Sequence, residues 1–354
     1  MSNDRPRRLA RRLLFSLLPL VAVLVLGELA TRLFWDRPGI DELDGTGLAP
    51  HPTRIWSLDA ADQEQQFAGS FQLDANGMRL TRRTNAPHLV LTVGDSSIFG
   101  HGLANEETLH ESLSRALGTR GIHTDVLTSA VPGYTSTQSL QQLEEVGWSL
   151  NPDLVILGNL WSDNDIEPIT DEEWMEEMRS PRQMLEWALR DSRLWEWMRW
   201  QLSPPPEVAL PVTFGQDAQA TGNRRVSLPD YTRNMEAMIR GAGQRNIGVV
   251  LLAPCNRPRA SGVEIEGGWP WDRYFETLEQ LAQIRAIPLV QGCEVAIGQN
   301  LVGEQGFLDE MHPTGPLNNA YAETLADTLV QMEWPSKRLL PDMAAPPLET
   351  TDDP

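Results

Sequence analysis

The sequence predicts an α/β protein built on a parallel five-stranded sheet with helices on both of its faces. Two observations predict it: short apolar runs alternate with helical segments, and the runs are apolar throughout. Continuously apolar strands are typical of parallel sheets whose two faces are both covered. The predicted strands cover residues 88–94, 124–131, 153–160, 247–254 and 287–292, and the predicted helices cover residues 107–117, 136–149, 229–245, 271–286 and 315–332.

Each of these elements has a local signal. The run HLVLTVG at 88–94 ends in glycine, as a buried strand often does. The next segment, ETLHESLSRAL, has apolar residues at helical spacing and stops at Gly118, and the second strand stops at Pro132–Gly133. The remaining strands are equally apolar, and a helical segment precedes each of the last two. Catalytic groups in such sheets gather at the carboxyl ends of the strands.

Three segments lie outside this alternation. Residues 36–87 form a mixed, polar N-terminal extension before the main domain over 88–333, and an insertion over 165–225 separates the third and fourth strands. The insertion contains a predicted helix over 181–202, and the tail after Trp334 is Pro-rich, acidic and predicted to be disordered. Tryptophans Trp174, Trp187, Trp195, Trp197 and Trp200 of the insertion either pack it onto the domain or form a lid that binds acyl or sugar groups.

The charge of the chain is strongly acidic and unevenly distributed. Among 354 residues, 29 are basic and 49 acidic, which gives a net charge of -20. A chain this acidic is unsuited to nucleic acid, so we exclude it as a partner. The first 12 residues nevertheless hold five arginines against one acid. This contrast predicts that the basic head and the acidic body occupy different compartments.

Residues Leu13 to Phe34 are predicted to form a transmembrane helix. No charge occurs from Leu13 to Gly27, and the full segment would be roughly 33 Å long as a helix, which spans a bilayer core. The preceding arginines favour a cytoplasmic N-terminus and an exported body. A cleaved signal peptide is one alternative, although Glu28 is a poor residue three positions before a cut that would follow Ala30. A buried soluble helix is the other, and the all-round apolar surface of the segment disfavours it.

A serine, a histidine and an aspartate stand where a nucleophilic site needs them. Ser96 follows the first strand of the sheet, in a turn that leads to a helix. His312 and Asp309 lie in one loop before the last helix, three residues apart, so the carboxylate can orient the imidazole and stabilise its charged form. His101 is a rival base because it is close to Ser96, but no carboxylate is arranged behind it.

The next two strand ends offer hydrogen-bond donors for an oxyanion. The second predicted strand leads into Gly133, where the backbone N–H can approach a substrate closely. The third leads into Ser162-Asp163-Asn164-Asp165, where the amide of Asn164 is a possible donor. Three consecutive strands therefore each end with one part of a site for acyl transfer.

This ordered set of motifs resembles the SGNH/GDSL hydrolase superfamily over about residues 88–332. Gly94-Asp95-Ser96, Gly133, Asn164-Asp165 and Asp309-x-x-His312 match the four blocks in order. The resemblance implies a three-layer αβα sandwich of the SGNH, flavodoxin-like type, with Ser96, His312 and Asp309 as the catalytic triad. It implies an oxyanion hole made by Ser96, Gly133 and Asn164. Residues 74–79 and the pair Tyr231 and Asn234 are similar to elements of membrane-anchored bacterial members.

One block departs from the family pattern. Ser162 stands where a glycine is usual, and the run from Pro152 to Asn164 is about one residue longer than the family pattern. Asn159 is therefore a competitor for the role of Asn164. We favour Asn164, because Asn159 would still lie within the strand rather than at its end.

The two cysteines, Cys255 and Cys293, follow the fourth and fifth predicted strands, which the fold would make neighbours. In an exported protein they either form a disulfide or remain as two buried thiols. The chain contains no zinc-ligand spacing, no Gly-x-Gly-x-x-Gly and no phosphate loop, so the sequence predicts no cofactor and no metal.

Together these features predict a membrane-anchored serine esterase whose domain faces the periplasm from the inner membrane of a bacterium. An acylated glycan, a lipid ester or another ester-bearing small molecule would serve as its substrate. A polysaccharide O-acetyltransferase using the same triad is the first alternative. A non-catalytic scaffold that binds a glycan or a membrane partner is the second.

Overall fold

The computed structural model describes residues 5–35, 48–58, 71–189, 191–202, 223–264, 268–269 and 271–348, with side chains described from Leu18 onward, except that of Pro50. Parts of the predicted N-terminal extension, insertion and tail (36–47, 59–70, 203–222 and 349–354) lie outside the described residues. The chain divides into two compact units. The smaller joins residues 1–44 with 177–211, and the larger joins residues 45–176 with 212–354.

The strands and helices have the following bounds. The strands are β1 Leu48–His51, β2 Ile55–Leu58, β3 His88–Gly94, β4 Thr124–Thr128, β5 Leu154–Gly158, β6 Ile166–Glu167, β7 Asn223–Arg224, β8 Gly248–Ala253 and β9 Leu289–Gln291. The helices are α1 Arg5–Phe34, α2 Ser96–Phe99, α3 Leu109–Thr119, α4 Ser136–Glu145, α5 Asp171–Met178, α6 Pro181–Ala188, α7 Arg193–Leu202, α8 Leu228–Gln244, α9 Arg257–Ala260, α10 Asp272–Arg285, α11 Gly292–Gly298 and α12 Gly315–Gln331.

The larger unit is built on a five-stranded sheet in the order β4-β3-β5-β8-β9, and all its pairs are parallel. Every residue of β4, β5 and β8 is buried, as expected of strands that helices cover on both faces. The predicted strands of this sheet are confirmed, although most are shorter than the apolar runs that predict them.

Two hydrophobic cores lie on the two faces of this sheet, because successive residues of each strand alternate between them. Val90, Ile156 and Val250 pack on the side of α3 and α12. Leu91, Val155 and Val249 pack on the side of α4, α8 and α10. The predicted three-layer α/β arrangement is therefore confirmed.

The smaller unit contains α1 and the helical pair α6 and α7. We predict one helix over 181–202, but the structure breaks it into two. The second helix begins after Ser192, whose hydroxyl accepts from the backbone N–H of Trp195 and donates to Glu28 of α1, 2.7 Å away. The Glu28 carboxylate also accepts from the N–H groups of Arg193 and Leu194, both at 3.0 Å. A distant acid thus fixes the start of α7. Trp195 and Trp200 are half-buried in this unit, whereas Trp197 is exposed.

Within the described part of the chain, no helix combines the length and the apolar character needed to cross a membrane.

The described part of the tail, which reaches Leu348, also differs from the prediction, because it packs on the domain. Leu339 is buried, and its carbonyl accepts from the N–H of Val249 in β8. The fully buried guanidinium of Arg285 pairs with Glu236 and donates to the tail carbonyls of Asp342 and Ala345. The tail therefore supplies acceptors that a buried arginine requires.

Candidate active site

The nucleophile turn begins where β3 ends. Asp95 caps the short helix α2, and Ser96 is the first residue of that helix. The Asp95 carboxylate is fully buried and accepts from the backbone N–H groups of Ser97 at 2.9 Å and of Trp161 at 3.2 Å. Burial raises the pKa of Asp95, against these hydrogen bonds. One side chain therefore ties the turn that carries Ser96 to the loop that follows β5.

Arg79 binds the backbone at the end of helix α2 and just beyond it. Its guanidinium donates to the carbonyl oxygens of Phe99 and Gly100 at 3.0 Å and of Leu103 at 2.8 Å. Burial lowers the pKa of Arg79 to about 10, so the group stays charged at neutral pH. The N-terminal extension, in which Arg79 lies, therefore fixes the residues immediately after the nucleophile helix.

His312 lies between Ser96 and Asp309. The Nε2 atom of His312 is 2.9 Å from Ser96 Oγ, and its Nδ1 atom is 2.6 Å from Asp309 Oδ2. Because Nδ1–H donates to the carboxylate, the Nε2 atom of the neutral ring is free to accept from the serine hydroxyl. The three residues that the motifs single out therefore form one hydrogen-bonded chain across 216 positions of sequence.

Backbone N–H groups form several hydrogen bonds within the loop that carries this pair. Asp309 Oδ1 accepts from the N–H groups of Met311 and His312, both at 2.8 Å, and the backbone N–H of Leu308 donates to the carbonyl of His312 at 2.8 Å. Partial burial alone would raise the pKa of Asp309, but the hydrogen bonds and charge of His312, with the Met311 N–H, hold it well below its usual value. Asp309 is thus a carboxylate at neutral pH.

His101, the rival base, lies against His312 rather than between it and Ser96. The centres of the two imidazole rings are 4.6 Å apart. Burial, together with the nearby His312 and Arg79, lowers the pKa of His101 to about 4. It is therefore neutral at physiological pH, and the geometry favours His312 as the base.

Gly133 lies in a tight turn just after β4. Its φ is +73°, and the backbone N–H of Tyr134 donates to the carbonyl of Val131 at 3.1 Å. The N–H of Val131 in turn donates to the carbonyl of Gly94, at the end of β3. The turn therefore sits beside the strand end that leads to Ser96.

The two asparagines have different surroundings. Asn159 is fully buried, and its amide nitrogen donates to the hydroxyl of Ser139 in α4 at 2.9 Å. Asn164 ends the 3-10 turn Ser162–Asn164, and its amide nitrogen donates to the carbonyl of Leu160 at 3.0 Å. Asn159 directly follows β5, which ends at Gly158, so the prediction that it lies within the strand is wrong. Its amide joins this strand end to α4, whereas Asn164 lies farther along the loop.

Two further residues, Trp56 and Arg225, belong to this region. The Trp56 indole donates to the carbonyl of Pro132 at 3.1 Å, and Arg225 donates to the carbonyl of Gly133 at 2.7 Å. The two lie 76 and 92 positions from their acceptors, and no local motif marks either of them.

The structure joins Cys255 and Cys293 in a disulfide, with their Cα atoms 4.7 Å apart. Cys255 follows β8, and Cys293 lies at the start of α11, directly after β9. Because β8 and β9 are neighbours in the sheet, their carboxyl ends bring the two residues together.

No family model and no curated protein matches the chain. Solved structures that it is similar to include an alpha/beta hydrolase enzyme from the metagenome of Lake Arreo, Spain, with 16% identity, a TM-score of 0.45 and coverage of 69% of this chain and 95% of that one. A lipase/acylhydrolase from Enterococcus faecalis has 12% identity, a TM-score of 0.43 and coverage of 74% and 100%. A GDSL-like lipase from Bacteroides thetaiotaomicron has 16% identity, a TM-score of 0.39 and coverage of 72% and 93%.

Proposed function

We propose that this protein is a serine hydrolase that cleaves ester bonds. The hydrogen-bonded chain from Asp309 through His312 to Ser96 supports the proposal. A serine hydroxyl is a weak nucleophile, and a neutral imidazole with a carboxylate behind it is the standard means of activating one.

In the proposed reaction, Ser96 Oγ bonds to the ester carbonyl carbon while its proton passes to His312 Nε2. The alkoxide departs as the C–O bond breaks and takes the proton back from His312. Water then adds to the acyl-serine with His312 again as base, releasing the acid and restoring Ser96. Asp309, held as a carboxylate, keeps the Nδ1 proton in place and stabilises the transient imidazolium.

The negative charge on the carbonyl oxygen needs donors that are already in position. We assign this role to the backbone N–H groups of Ser96 and Gly133 and to the side chain of Asn164. The Gly133 turn and the Asn164 loop both join the nucleophile turn by hydrogen bonds, through Gly94 and Asp95 respectively. Ser96 and its proposed donors are therefore held on one connected scaffold.

The test treats the full chain with a fluorophosphonate probe and with p-nitrophenyl acetate. Ser96→Ala should abolish both labelling and turnover. Ser97→Ala is the matched control, because Ser97 is the adjacent serine and its buried hydroxyl has no hydrogen-bond partner among the described residues. Labelling that persists in Ser96→Ala, or a wild-type chain that neither labels nor turns over the ester, would contradict the proposal.

We also propose that the segment Leu13–Phe34, whose first five side chains lie outside the described ones, anchors the protein in a bacterial inner membrane with its N-terminus in the cytoplasm. Its described apolar side chains face outward, with Leu26 65% and Leu33 74% exposed. The Cys255–Cys293 disulfide suits an oxidising compartment for the body. The full chain should resist alkaline carbonate extraction, and protease added to spheroplasts should degrade the body. Recovery in the carbonate-soluble fraction would overturn the anchor but leave the hydrolase proposal intact.

A further inference from the structure

The residues Val131–Tyr134 form a type II turn. Proline at the second position and a positive φ at the third, +73° at Gly133, define that type when the first carbonyl accepts from the fourth N–H. A type I turn has the same end points, but its central peptide is rotated by about 180°. The central peptide here joins Pro132 to Gly133, so the choice between the two turns decides where the Gly133 N–H points.

The indole of Trp56 acts directly on this peptide. Its Nε1–H donates to the Pro132 carbonyl at 3.1 Å. In a planar trans peptide the carbonyl and the following N–H point in opposite directions, so the Gly133 N–H faces away from Trp56. The ring also lies against the turn, since a Cβ added at Gly133 would be 3.1 Å from Trp56 Cζ2. Rotating the central peptide would break the indole hydrogen bond.

Arg225 holds the following peptide. Its Nη1 donates to the Gly133 carbonyl at 2.7 Å, while its Nε and Nη2 pair with the two carboxylate oxygens of Asp171 at 3.0 Å. Arg225 is 6% exposed, and its guanidinium lies 5.0 Å from the centre of the Trp56 ring. A charged donor in a buried, bidentate pair has little freedom to move. Trp56 and Arg225 therefore support each other as well as the turn.

We propose that Trp56 and Arg225 are positioning residues that lock the turn in its type II form and so keep the Gly133 N–H available to the oxyanion. The inference rests on the proposed function, because it assigns a purpose to the Gly133 donor. It gives the N-terminal extension, which supplies Trp56, a direct part in the rate of the reaction. Because the oxyanion forms only in the transition state, this positioning should affect kcat and leave the ground-state binding of the ester unchanged.

The test compares Trp56→Phe with Trp148→Phe in the full chain, using p-nitrophenyl acetate. Trp148 is a close match: its indole donates to Glu144 at 3.0 Å, and the guanidinium of Arg245 lies 5.0 Å from its ring. It lies just before the amino-terminal end of β5, whereas the site lies at the carboxyl ends of the strands. Trp56→Phe should lower kcat by about 10- to 100-fold, because loss of one oxyanion donor costs at most about 1000-fold. Its KM should change by less than about twofold.

Trp148→Phe should leave kcat within about twofold of the wild type. A Trp56→Phe chain with wild-type kcat would overturn the inference, and so would an equal fall of kcat in both variants or a change confined to KM. Each of these three results leaves the proposed function standing if the wild type turns over the ester and Ser96→Ala does not. A wild type without turnover would overturn the proposed function itself.

Discussion

At the residue scale, the proton on His312 depends on Asp309. Replacing Asp309 by Asn keeps the size of the side chain but allows the imidazole to carry its proton on Nε2, where it can no longer accept from Ser96. We expect Asp309→Asn to lower kcat for p-nitrophenyl acetate by about 1000-fold or more. Glu310→Gln changes a neighbouring acid in the same loop and should stay close to wild type. Comparable rates for the two variants would show that Asp309 does not orient the base.

Asp163 makes the free energy of unfolding of the chain depend on pH. Burial, opposed by hydrogen bonds from the hydroxyl and N–H of Ser136, raises the pKa of Asp163 to about 8. The folded chain therefore keeps a proton that the unfolded chain releases near pH 4. Stability must fall as pH rises between these two values, because the unfolded state then binds fewer protons than the folded state.

Asp163→Asn should remove this contribution, since an amide oxygen can still accept from Ser136 and carries no proton to lose. Between pH 5 and 7, the free energy of unfolding of the wild type should fall more steeply than that of the variant, by about 1 kcal/mol per pH unit. Chemical denaturation of both chains at several pH values measures the difference. Parallel pH profiles would mean that Asp163 is ionised in the folded state.

At the element scale, the start of α7 is set by a side chain from another helix. Glu28 accepts three hydrogen bonds at the N-terminus of α7, and Arg32 donates to the carbonyl of Asp191 just before it. A carboxylate at a helix N-terminus satisfies N–H groups that have no partner inside the helix. The smaller unit therefore depends on one acid, which directly follows the uncharged run Leu13–Gly27.

Glu28→Ala should release the N-terminus of α7 from α1. The amides of Arg193 and Leu194 should exchange with deuterium about 5-fold faster, because a lost helix cap costs about 1 kcal/mol. Glu196→Ala is a suitable control, since Glu196 pairs with Arg193 from within α7 and accepts none of these amides. Unchanged exchange in Glu28→Ala would show that packing alone holds the two helices together.

At the scale of the whole molecule, the features that could be predicted are those set by residues close together in the sequence. The five strands followed from apolar runs, and Asp309 and His312 followed from a spacing of three residues. Features set by distant partners had no such signal. Glu28 divides the helix predicted over 181–202, and Arg285 orders a tail whose composition indicates disorder. The role of Trp56 could not be predicted for the same reason, because the carbonyl to which it donates lies 76 residues away.

The disulfide joins the ends of two strands of the central sheet and closes a loop of 38 residues. Such a link restricts the unfolded chain more than the folded one, and a loop of this length corresponds to about 4 kcal/mol. Reduction of the full chain should lower its free energy of unfolding by an amount of that order, measured by chemical denaturation with and without a reductant. The double variant Cys255→Ala with Cys293→Ala should show no effect of the reductant. If the reductant leaves the free energy of unfolding of the wild type unchanged as well, the two thiols are not bonded in solution.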